Sequence, residues 1–492
     1  MDALFRADSS LEIGSGHIRR CLALAGNLAS KGLSCTFVVR DLPGNANALV
    51  TAAGHQLIAL PAGAFSIESD AEATARALGA TPIELLVVDH YGLDWQWERA
   101  LRPKAKRCAV IDDLADRPHD CDTLIDVTPG ADRASRYDAL VPPNALTLFG
   151  PRYAMLRPEF LSLRASLRPR DGGIQRILIS FGAVDAGNMS VAALHAIRRV
   201  CGPAINVDVV LGLDAPHLSV LRQAIHSDPC ARLHVDTSDM AALMAAADLA
   251  IGAGGTTSWE RACLGLPTLV TSVADNQHDN VRALVRAGAA LLVPGGERYE
   301  ARLCKALGEL AAAPERLGAM SAAAAHMVDG RGAERVATIL LRPAVTVRTA
   351  IAADCRDIWH WRNQPDIRSA SSDTGPIPWE EHVTWFEAAL SNPARRLLIG
   401  EAGGEAVGVL RFDVAAGTAT VSAYLTPAGR GRGIGPQLLM QGEARLKSDH
   451  PEVARIEAMI RPGNEPSIAA FTAARYRPEG DHFVRELPHD AS

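Results

Sequence analysis

Short apolar runs recur along this chain between longer Ala/Leu-rich stretches whose apolar positions repeat with helical spacing. Short apolar runs bounded by turn residues suit strands buried on both faces, and their alternation with helical stretches predicts parallel sheets in α/β layers. The first set of expected strands is Ala3 to Ala7, Ser34 to Val39, Leu85 to Val88, Cys108 to Ile111 and Thr123 to Val127. A charged, turn-rich segment, Arg168 to Gly173, precedes a second set: Arg176 to Ser180, Asn206 to Leu211, Arg232 to Val235, Leu249 to Gly252 and Thr268 to Thr271. Two α/β halves are therefore expected, over residues 1–155 and 156–342, with a cleft between them. The alternation weakens after Arg331-Gly332, and Leu341-Arg-Pro-Ala-Val345 reads as a linker to a third domain over residues 345–492. No internal repeat or low-complexity tract interrupts this order.

The chain length, 492 residues, is too great for one core and fits about three domains. A net charge of −6 with both signs scattered provides no basic stripe for nucleic acid. No run of apolar residues is long enough to span a bilayer, and Met1-Asp2 leads straight into a strand without the regions of a signal peptide. Nine cysteines, odd in number and free of CxxC pairs, read as reduced thiols in a cytoplasmic protein, and no carboxylate-rich cage for a metal is evident.

Chemistry concentrates where strands end. Gly14-Ser-Gly16-His17 follows the first strand and opens a helix carrying Ile18, Cys21, Leu22, Ala25 and Leu28 on its apolar face. The positive end of that helix disfavours the imidazolium of His17, leaving either a general base or a simple cap. Asp89-His90-Tyr91 and Asp112-Asp113 lie at further strand ends, where open α/β sheets bind ligands; singly each reads as a turn or cap, together they read as one rim. In the second half, Ser180 to Asn188 includes Asp185, and Gly254-Gly255-Thr256-Thr257-Ser258 precedes Glu260. Glycines there permit close approach of a phosphate and Glu260 can accept from a ribose diol; alternatively Glu260 is a first-turn acid favoured by the helix dipole. Asn276 and Gln277 offer amides to a sugar, or simply open a helix. In the third domain the apolar run Ala419 to Leu425 leads through Arg430-Gly431-Arg432-Gly433-Ile434-Gly435 to a helical run from Gln437 to Leu446, the layout of a pyrophosphate cradle.

That loop, followed by Asn464-Glu-Pro-Ser467 and Phe471 to Tyr476, resembles the acetyl-CoA motifs of the GNAT N-acetyltransferases. The resemblance implies acetyl-CoA as co-substrate, held by Ala423, Leu425, the Arg430–Gly435 loop, Asn464 and Ser467. The tyrosine that many such enzymes use as general acid falls on Phe471, which leaves Tyr476 and Tyr424 as candidates. Trp361 to Arg368 and Ile377 to Phe386 look like the start of an acetyltransferase acting on a 4-amino sugar nucleotide; Trp361, Trp385 and Phe386 also suit plain packing. Arg6-Ala-Asp8, Ile13 to Ile18, Asp89 to Gly92, Ile111 to Leu114, Gly254 to Glu260 and Gly265-Leu-Pro267 together resemble the UDP-sugar hydrolase of pseudaminic acid biosynthesis, which is similar to GT-B glycosyltransferases. The fold implied is α/β, a GT-B-like pair of Rossmann-type domains followed by a GNAT domain. The function implied is N-acetylation and then hydrolysis of a UDP-linked amino sugar, with no metal, nucleic acid or membrane partner. By the same resemblance His17 activates water, Asp89 and Tyr91 help build the sugar site, Glu260 with Gly254 to Ser258 holds UDP, and Arg6, Asp8, Gly16, Asp185, Asn188, Asn276 and Gln277 are further substrate-binding residues.

Overall fold

The computed structural model describes residues 1–129, 136–167, 170, 173–369 and 374–487. Of the expected turn segment, Arg168, Pro169, Asp171 and Gly172 lie outside them. The chain forms two compact units: residues 1–337 without 142–147, and residues 338–492 with 142–147.

The larger unit holds two sheets. The first has strands β1 (Ala3–Ala7), β2 (Cys35–Arg40), β3 (Gln56–Leu60), β4 (Leu85–Asp89), β5 (Cys108–Ile111), β6 (Thr123–Asp126) and β7 (Leu146–Phe149), in the order β3-β2-β1-β4-β5-β6-β7. β1 pairs in parallel with β2 on one side and β4 on the other, so the strand order reverses between β1 and β4. Such a switch point opens a crevice outside the carboxyl ends of the two strands. The second sheet has β8 (Arg176–Ser180), β9 (Asn206–Leu211), β10 (Ala231–Val235), β11 (Leu249–Ala253), β12 (Thr268–Thr271) and β13 (Ala290–Leu292), in the order β10-β9-β8-β11-β12-β13. Its pairs are all parallel, and its switch point lies between β8 and β11.

The expected strands all form; β3, β7 and β13 were not expected, and each lies at a sheet edge. The helices that carry the argument here are α1 (Gly16–Ala29), α2 (Ile67–Leu78), α3 (Met189–Cys201), α4 (Thr257–Cys263) and α5 (His278–Arg286). The apolar face of α1 puts Ile18, Cys21, Leu24, Ala25 and Leu28 into the core, as its 3.6-residue spacing requires.

The smaller unit is a mixed sheet of β14 (Thr346–Thr349), β15 (Arg395–Ala402), β16 (Glu405–Ala415), β17 (Thr418–Leu425), β18 (Arg455–Met459), β19 (Arg477–Glu479) and β20 (His482–Glu486), in the order β14-β15-β16-β17-β18-β20-β19. Helices α6 (Cys355–Arg362), α7 (Trp379–Ser391), α8 (Gly435–Asp449) and α9 (Glu465–Ala473) complete it. Leu438 of α8 seats in a seam of Gly400 and Gly408, where an added Cβ would come within 2.2 and 2.3 Å of it. β17 pairs in parallel with β18 only from Thr418↔Arg455 to Thr420↔Glu457. The stretch Val421 to Leu425 therefore has β16 on one side and no strand on the other among the described residues.

Candidate functional site

At the first switch point, His17 is the second residue of α1 and Asp89 is the last of β4, in register with Ala7. His17 Nδ1 lies 2.5 Å from Asp89 Oδ1, and the carboxylate is fully buried. Arg20, one helical turn on, donates from Nε to Oδ2 and from Nη2 to Oδ1, each at 2.6 Å, and Cys21 Sγ donates to Oδ2 at 3.4 Å. Burial alone would raise the Asp89 pKa, but Arg20 and His17 outweigh it and hold the carboxyl well below its usual range. An ionised Asp89 is acceptor-only, so Nδ1 of His17 carries a hydrogen and donates. Nε2 has no hydrogen-bond partner among the described residues. The ring of Tyr91 meets that of His17 edge-on at 4.6 Å; burial, with Asp113 adding to it, pushes the phenol's pKa upward. His17, Asp89 and Tyr91 thus come together, joined by Arg20, which sequence reasoning passed over. The missed signal is the i, i+3 spacing that stacks Arg20 on the face of His17.

Arg6 and Asp8, expected at the sugar, are turned to scaffold work. The Arg6 guanidinium is fully buried and donates to Asp8 at 2.6 and 2.9 Å and to Asp70 of α2 at 3.0 and 2.7 Å. Asp70 also accepts from Arg40 Nε and Trp97 Nε1, both at 2.9 Å. Asp8 accepts from the Arg40 backbone at 2.7 Å. His90 Nδ1 accepts from the Gly92 N–H at 3.0 Å, so its Nε2 carries the hydrogen that faces Asp8 at 3.2 Å. Four of the five N–H donors of Arg6 go to two buried carboxylates, and the guanidinium itself is fully buried. Gly16 begins α1, and a Cβ there would meet nothing within 4 Å.

At the second switch point the glycine loop divides into two roles. A Cβ on Gly254 would lie 2.3 Å from Val281 Cγ2 of α5, so packing requires that glycine; Gly255 faces only Gln277 Nε2 at 3.6 Å and leaves room for an approaching group. Thr256 is exposed and Thr257 half-buried. Ser258 does not join them: it is buried, and its Oγ accepts from Arg261 Nη2 at 2.9 Å. Gln277 Oε1 accepts from Gly254 N at 3.1 Å and Val273 N at 3.2 Å, a clamp on the loop, while Asn276 is exposed. Asp185 is likewise a correction, since its carboxylate caps α3 through the N–H groups of Met189 at 3.0 Å and Ser190 at 2.9 Å. Asn188, at φ +51°, precedes α3 half-buried. Glu260 sits 3.7 Å from Arg157 Nη2, and burial raises its pKa against the opposing pull of Arg157, Arg19 and Arg261. Arg19 belongs to α1, so the charge field at Glu260 is drawn from both sheets of the unit.

In the smaller unit the loop Arg430 to Gly435 enters α8, with Gly431 at φ +69° and Gly433 at φ +62°. Arg342 Nη1 donates to the Gly433 carbonyl at 2.7 Å, and Arg430 pairs with Asp366. Arg432 Nη1 donates to the Ala428 carbonyl at 3.0 Å, and Ile434 is core. A Cβ on Gly435 would lie 3.2 Å from Ala470, which holds α8 close to α9. Asn464 caps α9 by accepting from Ser467 N at 3.3 Å, so that N–H is already engaged. Ala423 and Leu425 lie on the unpaired edge of β17. Tyr476 does not suit the acid's role expected of it: it is buried against Phe471, ring centroids 4.9 Å apart, and its burial, with Glu443 adding to it, pushes its pKa far up. Tyr424, on the open stretch of β17, keeps a buried hydroxyl without a hydrogen-bond partner among the described residues.

Comparison with known proteins agrees with this division. Residues 233–336 match the glycosyltransferase family 28 C-terminal domain and residues 356–474 the acetyltransferase (GNAT) family. The chain is 27% identical over 341 residues to the spore coat polysaccharide biosynthesis protein SpsG of Bacillus subtilis, covering 68% of this chain and 96% of that protein. It is 26% identical over 248 residues to the UDP-2,4-diacetamido-2,4,6-trideoxy-beta-L-altropyranose hydrolase of Campylobacter jejuni, covering 50% of this chain and 81% of that one. With the UDP-N-acetylglucosamine--N-acetylmuramyl-(pentapeptide) pyrophosphoryl-undecaprenol N-acetylglucosamine transferase of Sorangium cellulosum it shares 32% over 211 residues, 41% of this chain and 50% of the transferase. Fold and site thus define a GT-B-like pair of Rossmann-type sheets followed by a GNAT domain. The chain is a homologue of the altropyranose hydrolase fused to a GNAT acetyltransferase domain.

Proposed function

We propose that this chain is a bifunctional, cytoplasmic enzyme of pseudaminic acid biosynthesis. Its GNAT domain acetylates the amine of a UDP-4-amino-4,6-dideoxy sugar from acetyl-CoA, and its larger unit hydrolyses UDP-2,4-diacetamido-2,4,6-trideoxy-β-L-altropyranose. In the hydrolysis, water attacks the anomeric carbon, the carbon–oxygen bond to UDP breaks, and His17 Nε2 takes the water's proton. Gly255, Thr256, Thr257 and Glu260 hold the UDP, and Asp89 and Tyr91 orient the base and flank the sugar. In the acetyl transfer, the neutral amine's nitrogen bonds to the thioester carbon while the carbon–sulfur bond breaks, and the proton that the nitrogen loses ends on the departing thiolate. Backbone N–H groups on the open edge of β17 polarise the carbonyl, and the Arg430–Gly435 loop at the head of α8 takes the pyrophosphate. A thiol of pKa ~8.5 leaves readily as thiolate, so a dedicated acid adds little.

The observation that carries the reading is the His17–Asp89 pair at the first switch point, with Nε2 open. A transferase that moves the sugar to an acceptor is the second reading, favoured by the family 28 match. The test is mass spectrometry of products from a panel of UDP-4-amino sugars with acetyl-CoA and no acceptor. Acetylated sugar nucleotide, followed by free sugar and UDP, is the expected outcome; UDP released only when an acceptor is added would replace hydrolysis with transfer.

A further inference from the structure

The Asp89 carboxylate is shared by His17, Arg20 and the Cys21 thiol, and Arg20 is the permanent charge among them. Arg20 takes both carboxylate oxygens as a fork, at 2.6 Å each, while His17 Nδ1 shares Oδ1 at 2.5 Å. Arg20 Nη2 also stands 3.2 Å from that same Nδ1. A guanidinium has donors only, so this is a donor beside a donor and tolerates no added positive charge. Among the described residues, His17 meets Arg20 on α1, Asp89 on β4 and Tyr91 beyond β4, while Cys21 donates to Asp89 and Asp113 stands 3.6 Å from Arg20 Nη1. Arg20 is at the edge of solvent with 9% of its surface exposed, so neither its charge nor that of Asp89 is screened as surface charges are.

We infer that Arg20 is a positioning residue for His17: it cancels the charge of Asp89 before the imidazole can, keeping the proton on Nδ1 and the lone pair on Nε2. Without it, a lone buried carboxylate 2.5 Å from the ring would favour the imidazolium, and the base would be lost at neutral pH. This role rests on the proposed reading of His17 as the hydrolytic base, but its state of protonation can be measured without any turnover.

The experiment uses the full chain labelled with 15N-histidine. In the wild type at pH 7, long-range 15N–1H spectra are expected to show the His17 Nδ1–H tautomer; an Nε2–H tautomer or an imidazolium would overturn the inference. In Arg20→Gln, which keeps a donor toward Asp89 but removes the charge, His17 is expected to take its second proton at least about one pH unit higher, a tenfold change in proton affinity. In Arg20→Lys, which keeps the charge, the titration should stay near that of the wild type. A titration in Arg20→Gln that stays within about 0.3 unit of the wild type would also overturn the inference. The acid limb of the rate of UDP release should move with the titration; a merely structural Arg20 would lower the rate at every pH and leave the limb in place. If the His17 titration moves as expected while the wild type releases no UDP from any panel substrate, the hydrolase reading fails and the role of Arg20 stands.

Discussion

Asp89→Asn separates positioning from scaffold in one substitution. The side chain is fully buried and accepts from Arg20 twice, from His17 and from Cys21. The amide keeps the shape but deletes the charge, which leaves the Arg20 guanidinium buried with Asp113 at 3.6 Å as its nearest counter-ion. Removing one partner of a buried ion pair costs about 3–5 kcal/mol, and the residual attraction of Asp113 places the expected loss toward the lower end, about 3 kcal/mol. At roughly 2–4 °C per kcal/mol for a domain of ordinary size, the first melting transition should fall by about 6–12 °C. The chemical loss has a separate origin, because an amide can accept or donate and no longer dictates which ring nitrogen carries the hydrogen. In a histidine held by a carboxylate, loss of that tautomer costs on the order of 10⁴ in rate. UDP release by the folded variant, measured below its melting range beside His17→Ala, is the assay. A rate within tenfold of wild type would refute the positioning argument, and an unchanged melting temperature would refute the ion-pair argument.

Glu260→Ala should weaken UDP binding about ten- to a hundredfold by calorimetry, the worth of one charge-assisted hydrogen bond; unchanged affinity would return Glu260 to pairing with Arg157. Gly433→Val should abolish acetyl transfer at all practical acetyl-CoA concentrations, since Gly433 holds φ +62° and its Cβ would lie 2.5 Å from the Arg342 guanidinium, whereas Tyr476→Phe should stay within about tenfold of wild type. A hundredfold loss for Tyr476→Phe in a folded protein would restore it as the acid. Burial raises the Glu443 pKa to about 7 from 4.5, so the folded state holds a proton there that the unfolded state gives up. The contribution of Glu443 to stability should therefore fall as pH rises from about 4.5 through 7 and level off above. Thermal melts of the GNAT fragment should show this slope flattened in Glu443→Gln; an unchanged slope would place its origin elsewhere.

The sequence exposed most of what is buried on both faces and little of what is not. The central strands of the larger unit are continuous apolar runs bounded by turns, and each matches its expected limits within a residue or so. Its unexpected strands β3, β7 and β13 lie at sheet edges, and β3 and β13 are only partly buried, so their side chains carry a weaker pattern; in the smaller unit only β17 is expected from the sequence. Loops at the strand ends were legible because glycine, serine and histidine there break the apolar runs. Partnership was not legible. Arg6 and Asp70 are 64 residues apart, and nothing local distinguishes an arginine that will neutralise two buried carboxylates from one that will meet a sugar. The same holds for Tyr476, since a phenol just past the last helix reads alike whether it faces a cofactor or Glu443.

The separate effects on His17 differ in weight, and the helix terminus is the smallest of them. The place of His17 at the start of α1 argues for a neutral imidazole, but a helix terminus contributes typically ~0.3–1 kcal/mol and at most about 2. Against it stands a full negative charge in direct contact at 2.5 Å. Even at 4 Å and an effective dielectric constant of 20, a unit charge pair is worth about 4 kcal/mol, so the dipole alone would lose and His17 would be drawn into the imidazolium. Arg20 reverses that balance, because its contacts with Asp89 are as short and its charge is permanent. With the carboxylate already neutralised, the helix terminus and the facing guanidinium act in the same direction, and a modest dipole is enough. The base we propose thus depends on a three-residue arrangement in which two members come from one turn of α1 and the third from β4, the strand that the switch point brings beside β1.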